Sequence, residues 1–136
     1  MGRMEVFTVN KVILGVLMLS IAMAGQAFAG NFSNTCKEIH LDGSHLQAKC
    51  KQAKTGDYGD TSTLKLNDYI GSTNGALVWN SSNFKEHCQN WAFQQTSYTD
   101  ALLLASCKNN AGQYVHTQIN LNERISNIDS HLKYDN

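Results

Sequence analysis

The stretch LKLNDYI at residues 64–70 returns as INLNERI at residues 119–125. At the same offset Leu66 matches Leu121, Asn67 matches Asn122, Ile70 matches Ile125 and Leu77 matches Leu132. Conservative pairs fill the remainder: Leu64 with Ile119, Asp68 with Glu123, Asn74 with Asp129 and Trp79 with Tyr134. In each copy the residues before the Asn alternate in polarity, which predicts a strand. Asn67 and Asn122 then suit the cap of a short helical turn, and ALVW (residues 76–79) and HLKY (residues 131–134) read as returning strands. The chain is therefore a tandem duplication of one hairpin-strand-turn-strand unit. Units this small bury too little surface to stand alone and are expected to share a core by exchanging strands. Leu66, Ile70, Leu77, Leu121, Ile125 and Leu132 are read as packing residues, with Trp79 and Trp91 as core or half-buried supports.

Ahead of each copy stands a pair of cysteines. Between Cys36 and Cys50, Ile39 and Leu41 alternate with polar residues, Asp42-Gly43 is a hairpin-turn dipeptide, and Leu46 and Ala48 resume the alternation. The midpoint of the two cysteines falls on the turn, so folding there sets Cys36 opposite Cys50. The midpoint of Cys88 and Cys107 likewise falls at Ser97-Tyr98, inside QQTSYTD. Two hairpins, each stapled at its base by a disulfide, is the economical pairing, and each closed loop contributes about 3 kcal/mol in the chain-entropy model. No C-x-x-C occurs and the spacings do not resemble a zinc knuckle, so disulfides are expected rather than metal. After the cysteines come polar loops, KQAKTGDYGD and KNNAGQYV.

At the start of the chain, Arg3 and Lys11 flank an apolar run at residues 12–23, and Ala27-Phe28-Ala29 ends in the small-x-small pattern. This reads as a secretory signal, residues 1–29, cleaved after Ala29; the apolar run is shorter than the roughly 18 residues of a membrane span. A secreted, periplasmic or extracellular product is expected, with no stable membrane insertion after cleavage. Residues 30–136 then make a single domain. The chain carries 11 Lys plus Arg against 11 Asp plus Glu, with no basic stripe to bind nucleic acid. Catalysis is not expected. The acids are scattered rather than paired across a cleft, the disulfides consume every thiol, and His40, His45, His87, His116 and His131 show no metal spacing. No cofactor is implied. Asn31 and Asn80 begin N-x-S sequons, which matter in a eukaryotic secretory pathway.

GNFSNTC at residues 30–36, LVWNSSNFKEHC at 77–88 and VHTQINLNERISNIDSHLKY at 115–134 resemble the cyanovirin-N homology family of small lectins. The resemblance implies an all-β, pseudo-symmetric tandem repeat of two lobes. Each lobe is a three-stranded sheet plus a β-hairpin, completed by segments exchanged between repeats: lobe A about residues 30–68 with 124–136, lobe B about 69–123. Both cysteine pairs fall at the family's positions. The implied activity is calcium-independent binding of α-mannose-containing glycans, typically terminal α1,2-linked mannose. The implied partners are mannose-rich oligosaccharides or glycoproteins, and the implied state is a monomer or a domain-swapped homodimer.

Neutral sugars present hydroxyls that need both donors and acceptors, so a lectin site is built from amides, hydroxyls and carboxylates around a shallow cleft. By the resemblance, a first site joins Asn31, Asn34 and Thr35 to Asn127, Ile128 and Asp129, with Thr55 completing it. Lys51 stands where the family pattern often has an acid, and the loop after it is two residues longer. A second site gathers Ser72, Thr73 and Asn74 with Ser82, Asn83 and His87, and with Lys108, Asn109 and Asn110. Here Gly71 and Ser72 replace an acidic-polar pair, Asn74 an aspartate and Asn110 an arginine, so the first site is expected to be the better mannose binder. Ser81 replaces a hinge proline. The alternative is a disulfide-stabilised secreted module that binds a protein, through an exposed patch of Trp91, Phe93 and Tyr98, or a non-mannose glycan.

Overall fold

The computed structural model describes residues 30–136, and the expected signal at residues 1–29 lies outside them. In the first repeat, β1 (Cys36–Asp42), β2 (His45–Lys51) and β3 (Tyr58–Lys65) form an antiparallel sheet, and β4 (Ile70–Thr73) pairs with β5 (Ala76–Trp79). The second repeat retraces this with the sheet β6 (Cys88–Gln95), β7 (Ala101–Lys108) and β8 (Tyr114–Asn120), and the hairpin β9 (Ile125–Ile128) with β10 (His131–Tyr134). Short 3-10 turns open each repeat (Phe32–Asn34, Phe84–Glu86) and precede each small hairpin (Leu66–Asp68, Leu121–Glu123).

The hairpins change places. β10 lies against β3 of the other repeat, where the Leu132 N–H donates to Ser62 Oγ at 2.9 Å; β5 lies against β8, where the Leu77 N–H donates to Thr117 Oγ1 at 3.1 Å. Each three-stranded sheet is thus completed by the hairpin that follows the other sheet. The alternation of β2 and β7 turns Leu46, Ala48 and Cys50, and Ala101, Leu103, Ala105 and Cys107, into the core. Leu66, Ile70, Leu77, Leu121, Ile125 and Leu132 are buried there as well, joined by Phe32 and Phe84. Trp79 and Trp91 are half-buried at its edge, with Tyr134 stacked between Trp79 and Tyr69.

The disulfides pair Cys36 with Cys50 and Cys88 with Cys107, each with Cα atoms 4.0 Å apart. Three local details differ from the sequence reading. The first turn is Gly43-Ser44 rather than Asp42-Gly43, because Asp42 pairs with His45. A bulge between Lys37 and His40, with Glu38 at φ 53°, adds a residue to the outgoing strand and displaces the turn while leaving the cysteines opposed. The second hairpin carries the matching bulge at Asn90, φ 55°. Second, the polar loops are shorter than read, since Tyr58 and Tyr114 already begin strands.

Third, Asn67 and Asn122 do not cap their own turns. Their side chains reach the turn that opens the other repeat: Asn67 Oδ1 accepts the Lys85 N–H at 3.0 Å, and Asn122 Oδ1 the Ser33 N–H at 3.1 Å. Their carbonyls accept the N–H of Asn83 and Asn31, at 2.8 and 2.7 Å. The repeated Asn is the stitch between repeats.

Candidate functional site

Asn31 adopts the left-handed conformation (φ 61°), which Asn tolerates better than most residues, and the buried Phe32 ring anchors the turn after it. This leaves Asn31, Asn34 and Thr35 exposed beside the turn of β9 and β10. In that turn Asp129 and Ser130 both have positive φ, 49° and 73°, as a two-residue type I′ connection requires. Asn127 fixes the junction: its Oδ1 accepts the Ser130 N–H at 2.8 Å, and its Nδ2 donates to Thr35 Oγ1 at 2.9 Å and to the Lys51 carbonyl at 3.0 Å. Asp129 Oδ1 accepts the Ala53 N–H at 2.9 Å.

Together these groups line an open cleft of about 510 Å³, whose walls are Gly30, Asn31, Asn34, Thr35, Ala53, Asn127, Ile128 and Asp129. A smaller cleft of about 340 Å³ adjoins it, adding Lys51, Gln52 and Gly56. Six of the seven residues read for the first site are therefore brought together. Thr55 is not on these walls; its hydroxyl donates to Gln52 Oε1 at 3.4 Å and accepts the Asp57 N–H at 3.1 Å, holding its own loop. Gly30 and Ala53 take part without having been read, because they contribute backbone and space rather than a polar side chain. Asn127 and Thr35 hold each other, while Asp129 Oδ2 and the side-chain amides of Asn31 and Asn34 make no hydrogen bond among the described residues. The cleft thus offers a carboxylate acceptor and mixed amide groups around the half-exposed side chain of Ile128, 48% exposed.

The second set has the same frame with different fittings. Asn74 Oδ1 accepts the Asn110 N–H at 2.8 Å, as Asp129 does from Ala53, and the Lys108 N–H donates to the His87 carbonyl at 2.9 Å. Ser72 occupies the position of Asn127 and is too short to bridge to His87 and Lys108. Asn109 Oδ1 accepts from Ala111 and Gln113, both at 3.0 Å, and so holds its own loop, while Asn83 Oδ1 accepts from Asn67 Nδ2 at 3.3 Å and so ties its turn to the other repeat. Ser72, Thr73 and Ser82 make no side-chain hydrogen bond among the described residues.

Trp91 and Phe93 do not share a patch with Tyr98. They are half-buried in a groove with Ile39 and Leu41, where Trp91 Nε1 donates to the Gly43 carbonyl at 3.0 Å. Tyr98, 79% exposed, stands in the loop before β7 beside Gln95, Thr96 and Ser97. Among the described residues no group of three or more His, Cys, Asp or Glu is placed to hold a metal ion, and no helix is long and apolar enough to cross a membrane.

Residues 32–133 match the CVNH domain family. Among solved structures, the NMR structure of the Gibberella zeae CVNH protein is 31% identical and superposes with a TM-score of 0.70, spanning 77% of this chain and 97% of that one. The microvirin:mannobiose complex is 35% identical with a TM-score of 0.65, spanning 77% of this chain and 98% of that one. A MoCVNH3 variant in complex with (N-GlcNAc)4 shares the fold at 21% identity, with a TM-score of 0.67 over 79% of this chain and 98% of that one.

Proposed function

This chain belongs to the CVNH domain family, and on that premise we propose that it is a secreted, non-catalytic lectin for glycans ending in α1,2-linked mannose. The observation that carries the reading is the cleft around Asp129, where a carboxylate oxygen and two amide side chains make no hydrogen bond among the described residues, on a wall otherwise held by hydrogen bonds. Adjacent sugar hydroxyls each carry a donor and lone pairs, which such a mixture satisfies. Asp129 accepts hydroxyl hydrogen bonds, Asn31 and Asn34 supply donors and acceptors, and Ile128 meets the apolar C–H face of the ring. Asn127 and Thr35 position the others. No step requires a metal, because the acceptors are already preorganised for hydroxyl donors.

The mannose assignment draws support from the microvirin:mannobiose complex, at 35% identity over nearly all of that chain. The second site is proposed to bind more weakly, since Ser72 cannot brace it as Asn127 braces the first. Export is proposed from the signal pattern in residues 1–29. The test is calorimetric titration of residues 30–136 with α1,2-mannobiose in EDTA. Saturable heat, unchanged when calcium replaces EDTA, is expected. Absence of heat at millimolar sugar, or a calcium requirement, contradicts the proposal.

A further inference from the structure

The backbone nitrogen of Gly30 faces two acceptors at once, Ser126 Oγ at 2.8 Å and Asp135 Oδ2 at 2.8 Å, and Ser126 Oγ in turn donates to the same carboxylate. Gly30 is buried with φ +77°, and a Cβ on it would lie 2.0 Å from the Asn122 carbonyl oxygen, so the position admits glycine alone. An amide has one proton to divide between two acceptors, whereas an ammonium has three.

The duplication supplies a comparison within the molecule. In the first repeat, where the chain runs on unbroken into the second, Asn80 stands in the place of Asp135 and Gly71 in the place of Ser126. There the carboxylate and the hydroxyl are missing: Asn80 offers a neutral amide whose Oδ1 accepts from the Tyr134 hydroxyl, and Gly71 packs against the linker itself, a Cβ on it lying 2.1 Å from Ser81 Oγ. A carboxylate and a hydroxyl have been placed where a chain end would lie, and not at the equivalent point where the chain continues.

We propose that Ser126 and Asp135 form a docking site for a free α-ammonium on Gly30, made by cleavage of the Ala29–Gly30 bond. A peptidase of the signal-processing class adds water across that amide, leaving a carboxylate on Ala29 and an ammonium on Gly30. The ammonium keeps the two contacts that the amide makes and adds charge to the one with Asp135, a stronger hydrogen bond than its neutral counterpart. Gly30 is a wall of the Asp129 cleft, so processing secures that wall.

The test exports the full chain through a secretory host and reads the intact mass of the product, alongside a full chain with one alanine inserted between Ala29 and Gly30. The exported parent is expected to begin at Gly30 and the insertion product one alanine earlier. The parent's Tm is expected to be higher by about 5 °C, the scale of a single charged contact in a domain this small. In an Asp135→Asn background the insertion is expected to leave Tm unchanged. A parent product beginning elsewhere, equal melting of the two forms, or a difference that persists in Asp135→Asn overturns the proposal. None of these readouts involves sugar, so failure here is separate from failure of the lectin reading.

Discussion

Asn67 and Asn122 hold corresponding positions in surroundings of unequal burial. Asn122 is 5% exposed, and besides accepting the Ser33 N–H its amide donates to Ser33 Oγ at 2.7 Å and to the Tyr98 carbonyl at 3.4 Å. Removing it leaves buried polar groups unpaired, whereas around the half-buried Asn67 water can replace much of what is lost. Asn122→Ala is therefore expected to lower unfolding free energy by about 2 to 3 kcal/mol and Asn67→Ala by about 1 kcal/mol, read from urea midpoints; equal losses would contradict the burial argument, and no loss at either would contradict the stitch. Asp129 Oδ1 accepts the Ala53 N–H, and the proposed lectin reading gives its Oδ2 the second task of accepting from a sugar hydroxyl. Asp129→Asn keeps an acceptor for the Ala53 N–H, as Asn74 does for Asn110 in the other repeat. Asp129→Ala removes both tasks and is expected to weaken mannobiose binding at least about tenfold, equivalent to 1.4 kcal/mol, while stability changes by less than about 1 kcal/mol. A large loss of stability with unchanged affinity would make Asp129 a loop clamp rather than a ligand contact.

At the scale of elements, the stapled hairpins carry the stability argument. The bridges close sequence separations of 14 and 19 residues, so replacing either pair by serine is expected to cost about 3 kcal/mol and to show as a drop in Tm. Unchanged melting would mean that the sheets hold without their staples. The hairpins were legible because the cysteine midpoints mark the turns and the inward residues of β2 alternate. The bulges were not: Glu38 gives no local sign of a left-handed backbone, and its extra residue shifts the first turn by one position. The start of β3 was hidden for a different reason, since Tyr58, Gly59 and Asp60 lie on an edge strand with little buried surface and read as loop. Asn74-Gly75 and Asp129-Ser130 both form two-residue connections with positive φ, turns that the reading of the returning strands left unassigned.

At the scale of the molecule, duplication and exchange explain why the candidate site lies where it does. The cleft joins the N-terminal turn of one repeat to the hairpin of the other, with Ala53 from a third segment, so no contiguous stretch contains it. The paired phrases made the exchange an expectation and the family resemblance placed most of the polar residues. Gly30 and Ala53 stayed hidden because backbone surface has no residue signature, and the Lys85 and Ser33 partners of Asn67 and Asn122 stayed hidden because each sits in the other repeat. The exchange also predicts that residues 30–79 alone lack the hairpin that covers β3 and give a poorly dispersed amide spectrum, recovering dispersion when residues 80–136 are added; a well-dispersed spectrum of the half alone would contradict the shared core. The most direct test of the account is a ¹⁵N-amide titration of residues 30–136 with α1,2-mannobiose and no added metal. Saturable shifts are expected, concentrated at Asn34, Thr35 and Asn127 to Asp129, with weaker shifts at Asn74 and Lys108. A spectrum that stays silent at millimolar sugar, or that moves only outside the Asp129 cleft, would contradict it.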